Sequence, residues 1–181
     1  MPHIPVPDNL YGIRSLAAWR PETGKPLYEL AEVLLRGHSP LSSAERELIA
    51  AFVSHKNDCF YCMSSHAAAA RYWYKDEKQT VDLVLDDYMN APISEKLKSL
   101  LTIAGKVQRD ARTVLTEDVE KAKQHGATDR DVHDAVLIAA VFCMYNRYVD
   151  GLATIAPAAD DYKAWEEMGK RMGSKGYIPP R

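Results

Sequence analysis

No stretch of this sequence stays apolar for the ~18 residues a membrane-spanning helix needs, and no charged-then-apolar N-terminal segment reads as a secretory leader. A cytoplasmic protein without a membrane partner is the expectation. An excess of one charge is also missing. The 23 Lys and Arg against 25 Asp and Glu leave a net charge of -2, no footprint for nucleic acid or an anionic surface. Small neutral or mildly charged substrates suit such a chain better. Strand signals are absent too, since no segment alternates apolar and polar residues between hairpin turns. Cysteine is scarce, with 3 in 181 residues. An odd number in a chain large enough to bury a core without staples means that paired thiols would cycle rather than brace.

What is there is helical. Residues 1–25 carry Pro2, Pro5, Pro7 and Pro21 and read as an extended arm, against a neighbouring subunit or its own. Residues 26–181 read as a single all-α domain of about seven to eight helices. Pro26 would start a helix closed by Gly37, and Ser42 with Glu45 forms a capping box for the next, which ends near Lys56. The break at Asn57-Asp58 opens a third, running through Ala67 to Ala70 towards Trp73. Further helices are expected over 77–88, 94–107, 116–125, 128–153 and 161–172. A thioredoxin-type CxxC needs strand–helix alternation around it, and none is present.

The third helix carries the chemistry. Cys59, Cys62 and His66 stand at i, i+3 and i+7, which brings two thiols and an imidazole onto one helical face. A thiol reacts as its thiolate, favoured by a helix N-terminus and a nearby imidazolium. With Asn57 or Asp58 as the cap, Cys59 falls in the first turn, and His66 lies one turn past Cys62. Glu47, on the preceding helix, would face the thiols if the two helices pack antiparallel; as one of two glutamates flanking Arg46, it reads by itself first as surface charge.

Glu47, Cys59, Cys62 and His66 together make the pattern E-x11-C-x2-C-x3-H. It resembles the signature of the alkylhydroperoxidase D and carboxymuconolactone decarboxylase superfamily. Leu41-Ser42, Glu45 to Ile49, Asn146-Arg147 and Asp150-Gly151-Leu152 resemble the peroxidase-related branch, so the likeness spans roughly Tyr28 to Ile155. The resemblance implies an all-helical, cofactor-free peroxidase assembled as a trimer or hexamer. Its substrate would be an organic hydroperoxide or hydrogen peroxide, and its reductant a lipoyl or thioredoxin-like dithiol. Cys62, nearest the base, would attack and become a sulfenic acid, and Cys59 would condense with it; the reverse assignment stays open. His66 would take the thiol proton, and Glu47 would orient His66 or relay protons. Alkylhydroperoxidase D carries a histidine between its cysteines where this chain has Tyr61, a residue that is no base at neutral pH.

Three other readings use the same residues. The four side chains could bind zinc, the pair could exchange disulfides with a lipoyl or thioredoxin-like partner without peroxidase activity, or the cysteines could be inert core. Elsewhere, Cys143 reads as core, His55 and His133 as solvated. Arg147 and Asp150 are spaced as an ion pair, which with Asn146 could line the cavity, and Tyr61, Tyr72, Trp73 and Tyr74 would form an apolar mouth.

Overall fold

The computed structural model describes residues 1–180. Among them it has nine α-helices and no strand. These are α1 (Ile13–Trp19), α2 (Pro21–Arg36), α3 (Ser43–Lys56), α4 (Phe60–Tyr74), α5 (Gln79–Asp87), α6 (Glu95–Asp110), α7 (Thr116–Gln124), α8 (Asp129–Gly151) and α9 (Tyr162–Lys175). No helix among the described residues is long and apolar enough to cross a membrane.

Most of the predicted boundaries hold to within a few residues because local capping fixes them. Ser42 and Glu45 close a reciprocal box at the start of α3, Thr128 and Asp131 do the same for α8, and Ser94 and Asp161 cap α6 and α9. The arm expected over 1–25 is the exception. It is non-helical only up to Gly12; α1 and the first turns of α2 occupy the rest, which also lifts the helix count above the expected seven to eight. Pro21, not Pro26, takes the first turn of α2, and Pro26 lies inside the helix. Gly24 lets α1 fold back on α2, since a Cβ there would sit 2.6 Å from the Ala17 Cα.

The core is centred on α3. Leu48, Ile49, Ala50, Ala51, Phe52 and Val53 are all buried, against Leu97, Leu100, Leu101 and Ile103 of α6 and Ile138 and Phe142 of α8. Each large apolar side chain sealed there is stabilised by about 1.5–3 kcal/mol relative to exposure. With every face of α3 buried, any polar residue on it must find partners inside the protein.

α4 packs beside α3, and α9 covers α4. The alanines 67 to 70 make that approach possible, and glycine completes it: a Cβ at Gly169 would lie 2.5 Å from the Ala68 carbonyl oxygen, and one at Gly173 would strike the Tyr72 ring. Small residues on both helices thus set the height of α9 and of the turn that follows it.

Candidate active site

Asp58 adopts a left-handed conformation (φ 56°) that turns the chain sharply from α3 into α4. In consequence Cys59 is itself the N-cap residue and not part of the first turn as expected, and α4 begins at Phe60. Cys62 follows within the first turn, and His66 lies one turn further on, 8% exposed.

The structure brings Glu47 and His66 together. Glu47 is fully buried, and its Oε2 is 2.7 Å from His66 Nδ1. An ionised carboxylate can only accept, so Nδ1 carries the proton and Nε2 is the ring's free nitrogen. The second oxygen, Oε1, accepts from Arg36 Nη2 at 2.5 Å and from the Tyr177 hydroxyl at 2.6 Å. Burial alone would favour the acid form of Glu47, but the charge and hydrogen bond of His66, then Arg36 and Tyr177, outweigh it and hold the carboxyl below its ordinary range. Tyr177 also stacks on the imidazole, ring centroids 6.0 Å apart and planes 9° apart, with the Arg36 guanidinium 5.1 Å from its ring centroid.

The two thiols occupy unlike places. Cys62 lines a small cavity, about 50 Å³ to a water-sized sphere, together with His66, Tyr61, Phe142, Tyr145 and Tyr177. Cys59 does not line it and is completely buried among Val149, Trp165 and Met168. Both are free thiols. The adjoining Cys62 thiol, then burial, push the pKa of Cys59 far up. Burial thus works against the thiolate that the helix N-terminus was expected to favour at Cys59. Partial burial raises the pKa of Asp150, and the nearby Cys59 thiol offsets part of that rise.

No group of three His, Cys, Asp or Glu side chains among the described residues converges to hold a metal ion. The zinc reading meets a physical obstacle, because Arg36, Tyr177 and His66 already engage both Glu47 oxygens. Tyr61 lies on the cavity wall; burial raises its hydroxyl pKa further, and the ring fills the space a Cβ of Gly12 would take. It has no capacity as a base.

The family model for the carboxymuconolactone decarboxylase family matches residues 21–86, from α2 to α5, which includes all four signature residues. A structure of an uncharacterized peroxidase-related protein from Silicibacter sp. is 32% identical, with TM-score 0.75, covering 82% of this chain and 76% of that one. The chain belongs to the carboxymuconolactone decarboxylase and alkylhydroperoxidase D superfamily. A second member, an alkylhydroperoxidase AhpD core from Ralstonia eutropha also described as peroxidase-related, is 27% identical with TM-score 0.75, over 91% of this chain and 80% of that one. A protein of unknown function from Agrobacterium tumefaciens, at 19% identity and TM-score 0.71 over 87% of this chain and 99% of that one, shares the fold. No curated protein sequence matches the chain.

Within this superfamily fold, several sequence expectations move. Arg147 does not pair with Asp150; its Nη1 donates to the Cys143 carbonyl. Asn146 is buried away from the cavity, accepting from Asn57 and donating to the Ser54 hydroxyl. Cys143 is only partly buried and accepts from Asn57. His55 is exposed, and His133 pairs with Asp134 at 2.9 Å while largely in solvent. Tyr72 and Trp73 lie exposed at the far end of α4, so the aromatic wall comes from Tyr28, Tyr61, Phe142, Tyr145 and Tyr177 instead. Arg36 and Tyr177 escaped sequence reasoning because they flank Glu47 at separations of 11 and 130 residues, which no helical spacing rule links.

Proposed function

We propose that the protein is a thiol-dependent peroxidase in which Cys62 attacks a hydroperoxide and Cys59 resolves the product. The observation that carries this reading is the unequal placement of the two thiols: Cys62 lines the cavity with His66, and Cys59 is sealed off from it. Cys62 gives its proton to Nε2 of His66, and the thiolate attacks the terminal peroxide oxygen. The O–O bond breaks, its electron pair leaves with the alkoxide, and His66 returns the proton, so that ROOH becomes ROH and Cys62 a sulfenic acid. Glu47 positions the imidazole and stabilises its charged form during the transfer.

Cys59 then attacks the Cys62 sulfur. Asp150 accepts the Cys59 proton, the S–S bond forms, and the departing hydroxide takes that proton to leave as water. A second dithiol, on a lipoyl or thioredoxin-like protein, returns the pair to thiols and becomes a disulfide itself. We place this cycle in a homo-oligomer, a trimer or hexamer, as the resemblance to the family implies.

The test is a count of free thiols in reduced protein before and after one equivalent of cumene hydroperoxide, with mass spectrometry to locate any new bond. Loss of two thiols as a Cys59–Cys62 disulfide within seconds is expected. Thiols untouched by peroxide but oxidised readily by lipoamide disulfide would replace the peroxidase reading with an exchange module.

A further inference from the structure

Arg14 of α1 and Arg171 of α9 line the same cavity as Cys62 and His66. Both side chains are half-buried. Among the described residues neither forms an ion pair, whereas Arg36 has Glu47 and Arg130 has Asp134. Burial lowers the pKa of Arg171, and the like charge of Arg14 lowers it further. Two guanidinium forks drawn together without a carboxylate are costly unless an anion completes them.

The rest of the wall narrows the kind of anion. Ile13, Leu27, Phe142 and Met172 surround the same space, which suits a hydrocarbon body better than a strongly hydrated free ion. A guanidinium pair fits a carboxylate, whose two oxygens accept two parallel N–H bonds.

We propose that the cavity selects compact organic hydroperoxides that carry a carboxylate, held by Arg14 and Arg171 while the peroxide group meets Cys62. This substrate class rests on the peroxidase reading above. The carboxylate takes no part in bond breaking; it supplies the orientation that the apolar wall cannot.

Three substrates test it by steady-state kinetics: cumene hydroperoxide, its para-carboxylate derivative, and the methyl ester of that derivative. The acid is expected to exceed the ester in kcat/KM by about tenfold, the size of one charge-assisted hydrogen bond. Arg171→Gln and Arg14→Gln should each bring the acid-to-ester ratio towards one by raising KM for the acid, and Arg171→Lys should keep part of the preference. Equal kcat/KM for acid and ester in the unmodified protein overturns the proposal, with the peroxidase reading intact. Calorimetric binding of para-isopropylbenzoate and its methyl ester, neither of which holds a peroxide, separates the two ideas. Tighter binding of the acid, lost in Arg171→Gln, with no turnover of any hydroperoxide, keeps the anion site and ends the peroxidase reading; equal binding of acid and ester ends the site.

Discussion

His66 Nδ1 lies 2.7 Å from Glu47 Oε2, and the other oxygen of that carboxylate is held by Arg36 and Tyr177. A fully buried carboxylate with three partners is expensive to disturb, because removing its charge strands a guanidinium and releases the imidazole from its tautomer. Glu47→Gln is therefore expected to lower stability by about 3–5 kcal/mol in urea titrations and peroxidase turnover by about a hundredfold. Unchanged turnover in a folded Gln variant would remove Glu47 from the proposed mechanism.

The same carboxylate sets an acid limit on the fold. Glu47 titrates below its ordinary value of 4.5 in the folded protein. A carboxyl whose folded pKa is depressed contributes stability above the unfolded value and loses it as pH falls through the folded one. Unfolding free energy should thus decline as the solution is taken below about pH 4.5, and Glu47→Gln should flatten that decline. Parallel slopes in the two proteins would show that other groups govern acid unfolding.

The thiols should separate cleanly by variant. After peroxide, Cys59→Ser is expected to give a dimedone adduct at Cys62, and Cys62→Ser none, since the remaining Cys59 is sealed and protonated. An adduct at Cys59 in the Cys62→Ser protein would reverse the assignment.

Asp150→Asn removes the carboxylate that the proposed cycle makes the acceptor of the Cys59 proton. The first oxidation should keep its rate while closure of the disulfide slows about tenfold or more, read in stopped-flow as a longer-lived sulfenic acid. Equal closure rates would assign the Cys59 proton to another acceptor.

Gly176 has φ +67°, and a Cβ there would fall 2.4 Å from Glu32 Oε2, which accepts the Tyr177 amide at 2.6 Å. Gly176→Ala should cost about 1 kcal/mol or more and withdraw the Tyr177 hydroxyl from Glu47, so thermal stability and turnover fall together. Loss of neither would show that the turn tolerates the methyl group.

Sequence reasoning reached far where the physics is local. Ser42 with Glu45 and Thr128 with Asp131 mark helix starts, and the spacing of Cys62 and His66 puts them a turn apart on one helix, with Cys59 at its cap. It failed at Pro21 and Pro26 because either proline could open a helix, and only the close approach of Gly24 to Ala17 shows which one does. Glu47 was ambiguous between surface and site, since its partners come from α2 and from beyond α9. The order of the two thiols is open in the sequence for a subtler reason. Helix-end electrostatics can be read from position, but burial beside a second thiol and an acid cannot.

Tyr177 reaches Glu47 across 130 residues of chain and His66 across 111. Synthesis runs from the N-terminus, so both cysteines, the imidazole and its carboxylate are made well before the residue that roofs them. The hydrogen-bond set around Glu47 is therefore complete only after α9 has docked on α4 and carried the C-terminal segment across it.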